Sequence, residues 1–174
     1  MTLGVDEFKS KLVGGGARPN LFQATVTYPG YAAGDVELTS FMCKAAQLPA
    51  SSVEAIEVPF RGRQLQVAGD RTFEPWSITV INDTNFTIRN AFERWSNGMN
   101  EHVNNAGLTN PIDYKADMYV TQLDRSGAAL KTYTFKGAFP TSIAAIDVSW
   151  DTTNEIEEFE VELTYDYWVS GTTS

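Results

Sequence analysis

The chain has 174 residues, 43% hydrophobic and 20% charged, with a mean hydropathy of -0.23. That is the length of about one domain and the composition of a folded protein, which excludes a disordered tail and leaves no apolar run near the ~20 residues of a membrane span. Thirteen Lys and Arg against 22 Asp and Glu give a net charge of -9, which excludes the broad basic footprint that phosphate binding needs.

The acid is unevenly placed. Beyond Lys136 there is no basic residue, yet Asp147, Asp151, Glu155, Glu157, Glu158, Glu160, Glu162 and Asp166 all follow it. The rest of the chain is nearly neutral, so one end of the fold is expected to be an acidic surface. Cys43 is the single cysteine, which excludes an intrachain disulfide and fits a chain made in a reducing cytoplasm. No basic and apolar leader opens the chain, so export through a cleaved signal is not expected.

In chain order, residues 1–19 read as an arm on a single domain spanning 1–174. Residues 6–13 form a short helix with Phe8 and Leu12 on one side, and Gly14, Gly15 and Gly16 stop it. A strand follows at 20–28, where Phe22, Ala24, Val26 and Tyr28 alternate with Gln23, Thr25 and Thr27. After a glycine-rich turn, strands are expected at 39–47, 53–58, 63–68 and 76–81, bounded by Pro49, Pro59, Gly62 and Gly69. One stretch has helical period: Ile88, Ala91, Phe92 and Trp95 share a face, so a helix is expected over 84–97, capped by Asn82, Asp83 or Thr84 and closed at Gly98. Residues 98–114 read as a polar loop. Strands resume at 116–124, 130–137 and 143–150.

The last run, 156–168, is the clearest strand. Phe159, Val161, Leu163, Tyr165 and Tyr167 take one side, and Glu158, Glu160, Glu162, Thr164 and Asp166 the other. Successive carboxylates on that face lie about 6.5–7 Å apart, inside a Debye length of about 8 Å, so the row is tolerated only where it stays wet. The fold class is mainly β, a β-sandwich or barrel with one flanking α-helix.

Catalytic parts are missing. His102, the single histidine, sits in a polar loop with no glycine-flanked serine to serve. One Cys and one His make no structural zinc site. Asp151, Asn154, Glu155 and Glu157 lack the spacing of a calcium loop, and nothing sets one of the glutamates on 158–166 apart as a glycosidase acid. Gly14–Gly16 has no strand before it and no Lys-Ser/Thr after it, so it is a hinge rather than a phosphate cradle. Trp76, Trp95, Trp150 and Trp168 read as core aromatics. No enzyme, cofactor or metal is expected.

Three blocks carry a family likeness. They are Arg18-Pro19-Asn20-Leu21-Phe22-Gln23; Val67 to Phe73 with Trp76, Thr79-Val80 and Asn82-Asp83; and Trp150-Asp151 with Asn154-Glu155-Ile156, Phe159-Glu160-Val161 and Asp166-Tyr167-Trp168. In register over about 150 residues, they resemble the tail tube proteins of contractile-tailed bacteriophages of the T-even type, a family related to type VI secretion tube proteins. The resemblance implies a structural virion protein whose hexameric rings stack into the tail's inner tube, which conducts the genome into the host. The implied partners are its own copies, the tail sheath, baseplate and tail terminator proteins, and the tape-measure protein and DNA passing transiently through the lumen. An inner tube of a bacterial contractile injection system, carrying protein cargo, is the alternative. A soluble carbohydrate-binding or hydrolytic sandwich is a third reading. On the tube reading, Arg61, Arg63, Asp70 and Arg71 are expected at a subunit interface. Glu158, Glu160, Glu162 and Asp166 are expected to face the lumen, where carboxylates repel a sliding duplex.

Overall fold

The computed structural model describes residues 4–173. Among them the strands are β1 (Phe22–Val26), β2 (Cys43–Ala46), β3 (Ser51–Phe60), β4 (Arg63–Phe73), β5 (Trp76–Ile81), β6 (Ala116–Leu123), β7 (Ala129–Ile143), β8 (Glu158–Thr164) and β9 (Tyr167–Ser170). The helices are α1 (Val5–Lys11), α2 (Val36–Met42), α3 (Thr87–Met99) and α4 (Pro111–Tyr114). Seven strands join antiparallel in the order β1-β6-β7-β8-β5-β2, with β9 beside β7. The path ends at two edges, β1 and β2, so among the described residues the sheets close into no barrel.

Period-two alternation builds this core. In β5, Trp76, Ile78 and Val80 are buried between half-buried neighbours, and in β8, Phe159, Val161 and Leu163 are buried between exposed glutamates. Opposite them lie Ala24 and Val26 of β1, Met118 and Val120 of β6, and Phe135 of β7. The Trp76 and Phe135 rings stack at 4.4 Å and tie the layers together.

The long strand β7 belongs to both layers. Its Tyr133–Lys136 stretch pairs with β9, and its Phe139–Ile143 stretch with β8. The corner falls at Gly137 (φ 65°), with register irregularities nearby at Ala116/Met118 and Pro140/Ser142.

Helix α3 covers one end of the core with Ile88, Ala91, Phe92 and Trp95, the face that the spacing predicts. It starts three residues later than expected and runs two residues further. Asp83 Oδ1 accepts from Thr87 N at 2.9 Å. Gly98 does not close the helix. It lies inside the last turn, where a Cβ would strike the Tyr31 ring, whose hydroxyl donates to Trp95 O.

Other expectations also change. The strand expected over 39–47 is split, because Asp35 accepts from Leu38 N at 3.0 Å and starts α2, leaving only β2 extended. The strand expected over 143–150 is absent, since β7 ends at Ile143 and residues 144–157 form a loop. The expected run 156–168 is two strands. It breaks where Asp166 N turns to Lys136 O. Trp76 and Trp95 are core residues, but Trp150 is not: its side chain is 99% exposed.

Candidate assembly surfaces

The first surface is the β3–β4 hairpin. Arg61 (φ 47°) and Gly62 (φ 78°) both take left-handed conformations, the two-residue turn whose twist suits a tight hairpin. Partners Ile56 and Val67, Val58 and Leu65, and Phe60 and Arg63 alternate with Glu57 and Gln66, and Pro59 and Gln64. One face is therefore apolar (Ile56, Val58, Phe60, Leu65, Val67) and the other polar, with Gln66 Nε2 donating to Glu57 Oε1 at 3.3 Å. Nearly every residue of the hairpin is exposed, the apolar face included.

The hairpin is fixed only at its root. Trp76 Nε1 donates to Gln47 O at 2.7 Å, Trp168 Nε1 donates to Ala50 O at 3.2 Å, and the Phe73 ring lies 6.0 Å from that of Tyr165. Beyond the root it stands in water, where an isolated two-stranded ribbon is marginally stable. Arg61 lies over the Phe60 ring at 5.3 Å. Among the described residues the ion pairs are Lys44–Glu158, Arg89–Glu93, Lys115–Asp166 and Lys136–Asp117, so Arg61, Arg63, Asp70 and Arg71 take part in none.

The second surface is the outer face of β5 and β8. Glu158, Glu160 and Glu162 stand exposed along β8, opposite Ile81, Thr79 and Ser77. Glu158 is bridged to Lys44 at 2.6 Å, while Glu160 and Glu162 are in no ion pair. Hydroxyls of neighbouring strands flank the carboxylates, which keeps the face hydrated.

Asp166 lies apart from that row. It sits past the end of β8, bound by Lys115 Nζ at 2.7 and 2.9 Å, beside the Lys136–Asp117 pair at 2.7 Å. Gly137 makes this approach possible, because a side chain there would meet the Asp166 carboxylate. The hydrogen bond from Lys136 to Asp117, with its charge, holds the Lys136 ammonium above its ordinary pKa.

A third feature escaped the sequence reading. The 144–157 loop lifts Val148, Trp150 and Ile156 into solvent among Asp147, Asp151, Glu155 and Glu157, with no basic residue in it. Both ends are pinned: Ala144 N donates to Glu160 O at 2.8 Å, and Asn82 Nδ2 donates to Glu157 Oε2 at 3.0 Å.

Catalytic chemistry finds little purchase. His102 is exposed and lines a groove along α3 with Arg89, Glu93 and Arg94. Burial pushes the half-buried Cys43 thiol up to about 11, far from a reactive thiolate. Among the described residues no group of three His, Cys, Asp or Glu is placed to hold a metal, and no helix is long and apolar enough to cross a membrane.

Comparison with known proteins agrees with this picture of surfaces without a reaction centre. A family model described as phage tail tube protein matches residues 17–171. The chain is 40% identical over 153 residues to the tail tube protein gp19 of Enterobacteria phage T4, covering 87% of this chain and 90% of that one. It is 30% identical over 166 residues to the tail tube protein of Serratia phage KSP90, covering 92% and 93%. Its fold is similar to a chain in the sheath/tube terminator of the extracellular contractile injection system PVC (TM-score 0.67, 18% identity, 89% of this chain and 96% of that one). It is also similar to a chain in the PVC sheath-tube complex (TM-score 0.59, 18% identity, 97% and 98%). At that identity the likeness is one of fold, whereas the phage relatives match in sequence over nearly their whole length. The chain therefore belongs to the phage tail tube protein family, structural and non-enzymatic components of the virion.

Proposed function

We propose that copies of this chain join as hexameric rings that stack into the inner tube of the tail, with the genome passing through the bore. The observation that carries the reading is the β3–β4 hairpin, which holds an amphipathic ribbon in solvent with none of the described residues covering it. A monomer leaves an apolar face of this kind bare only at a cost, and a neighbouring copy removes it. Burying three of its five apolar side chains would contribute on the order of 5 kcal/mol before the cost of association. The open edges β1 and β2 favour the same reading, since strands of an adjacent subunit would pair them.

On this reading Arg61, Arg63, Asp70 and Arg71 make contacts between subunits. Glu158, Glu160 and Glu162 face the bore, where the carboxylates of Glu160 and Glu162, in no ion pair among the described residues, keep a layer of water against a sliding duplex. Asp166, held by Lys115, contributes little to that field. The sheath would surround the tube, terminator and baseplate proteins would bound its ends, and the tape-measure protein would occupy the lumen before DNA. Negative-stain microscopy of the purified chain tests the proposal. Hollow rings or rods are expected, and Arg71→Glu is expected to reduce them while leaving the thermal melt of the subunit unchanged. Dispersed monomers from the unmodified chain, or Arg71→Glu rods as abundant as its own, would count against the proposal or that residue's role respectively.

A further inference from the structure

The hairpin and the 144–157 loop lie at opposite ends of the same sheet. Trp76, where β5 begins just after the hairpin, is paired with Leu163; Ile81, where β5 ends, is paired with Glu158, the first residue after the loop. Five steps along β5 separate the two ends by about 17 Å. At the hairpin end β2 runs out toward Gln47, whose carbonyl accepts from Trp76, so the ribbon leaves the sandwich there. At the loop end Ala144 N and Asn82 N donate to Glu160 O and Glu157 O, each at 2.8 Å.

The two features are complementary. The hairpin offers Ile56, Val58, Phe60, Leu65 and Val67, with Arg61 and Arg63 at its tip and no ion-pair partner for either among the described residues. The loop offers Trp150, 99% exposed, and Val148, 80% exposed, among Asp147, Asp151, Glu155 and Glu157 without a base. Within one copy they stay apart, for both remain exposed.

We infer that the hairpin of one copy docks on the Trp150 loop of the next, its apolar face against Val148 and Trp150 and its tip arginines against Asp147 and Asp151. The contact joins two different patches, one at each end of the sheet. Made between stacked rings, such a head-to-tail contact repeats along the rod and gives it two unlike ends, one with free hairpins and one with free loops. An aromatic side chain at the centre of a contact, rimmed by charge, is the usual anchor of such an interface. The inference rests on the tube reading and names the surface that receives the hairpin.

The test compares rods and rings made by the unmodified chain, Trp150→Ala, Arg61→Glu/Arg63→Glu, Asp147→Lys/Asp151→Lys, and the four substitutions combined. Trp150→Ala is expected to melt as the unmodified chain does and to weaken each contact at least about tenfold, so that rods shorten severalfold or more while ring-sized particles persist. Each charge reversal alone shortens rods, and the combined variant restores them, which a merely structural role for these residues would not do. Rods of unmodified length in Trp150→Ala, or a combined variant no longer than its parents, overturn the docking and leave the loop to another tail protein. An unmodified chain that makes neither rings nor rods overturns the tube reading itself.

Discussion

At the scale of single residues, stability and surface chemistry are separable. Phe135 is buried and stacked on Trp76 across the two layers, so Phe135→Ala leaves a cavity and is expected to cost about 3–5 kcal/mol in urea unfolding. Lys136, next along the chain, points the other way, to Asp117. Its pKa is raised in the fold, so the pair's contribution is fully present below the ordinary lysine value of about 10.4 and is lost as pH rises through the raised value. Lys136→Met should therefore melt lower than the unmodified chain at pH 8, with the difference narrowing above about pH 10.4; thermal melts across pH 8–11.5 check it. Which residues are core was legible wherever alternation was strict, as at Phe159, Val161 and Leu163. Trp150 misled, because an exposed interface anchor and a core tryptophan look alike in one dimension: both are large apolar side chains among polar neighbours.

At the scale of elements, the α3 face and the β8 alternation could be read directly, since both periods repeat several times. The segment 36–46 could not be. The strand expected over 39–47 runs through it, while the signal for helix is a single Asp35 cap and Glu37 in the first turn. Gly98 showed a related ambiguity, with a glycine needed for the approach of Tyr31 resembling one needed to end a helix. The β3–β4 hairpin was legible as a hairpin, but not as a ribbon standing off the core, because its alternation matches that of a half-buried strand. Its independence gives a prediction. Replacing residues 52–72 by a short Gly/Ser linker removes no core side chain, so the sandwich is expected to keep its far-ultraviolet dichroism and its melting temperature within a few degrees. Rod formation should be abolished. A collapsed, unfolded deletion would mean that the ribbon carries the sandwich.

At the scale of the whole molecule, the acidic face of β8 is expected to act on passage rather than assembly. Among the described residues Glu160 and Glu162 form no ion pair, so Glu160→Lys/Glu162→Lys should leave folding and rods intact. If they line the bore, each subunit then gains four units of positive charge, and phage carrying them should eject DNA more slowly, with a delay that shrinks as salt rises. Unchanged ejection kinetics would put that face elsewhere. Net charge predicted such a surface, but its division into a carboxylate row and a separate Lys–Asp cluster required the fold, because Lys44 and Lys115 arrive from distant segments.

The corner in β7 has a consequence for how the molecule comes apart. One continuous backbone pairs with β9 before Gly137 and with β8 after it, while β6 lies alongside it from Ala129 to Ala138. Neither layer can melt without stripping that shared strand from the other, so the two halves should open in a single cooperative event. Amide protons of Phe135 and Phe139 would then exchange with deuterium at one common rate, the slowest in the subunit.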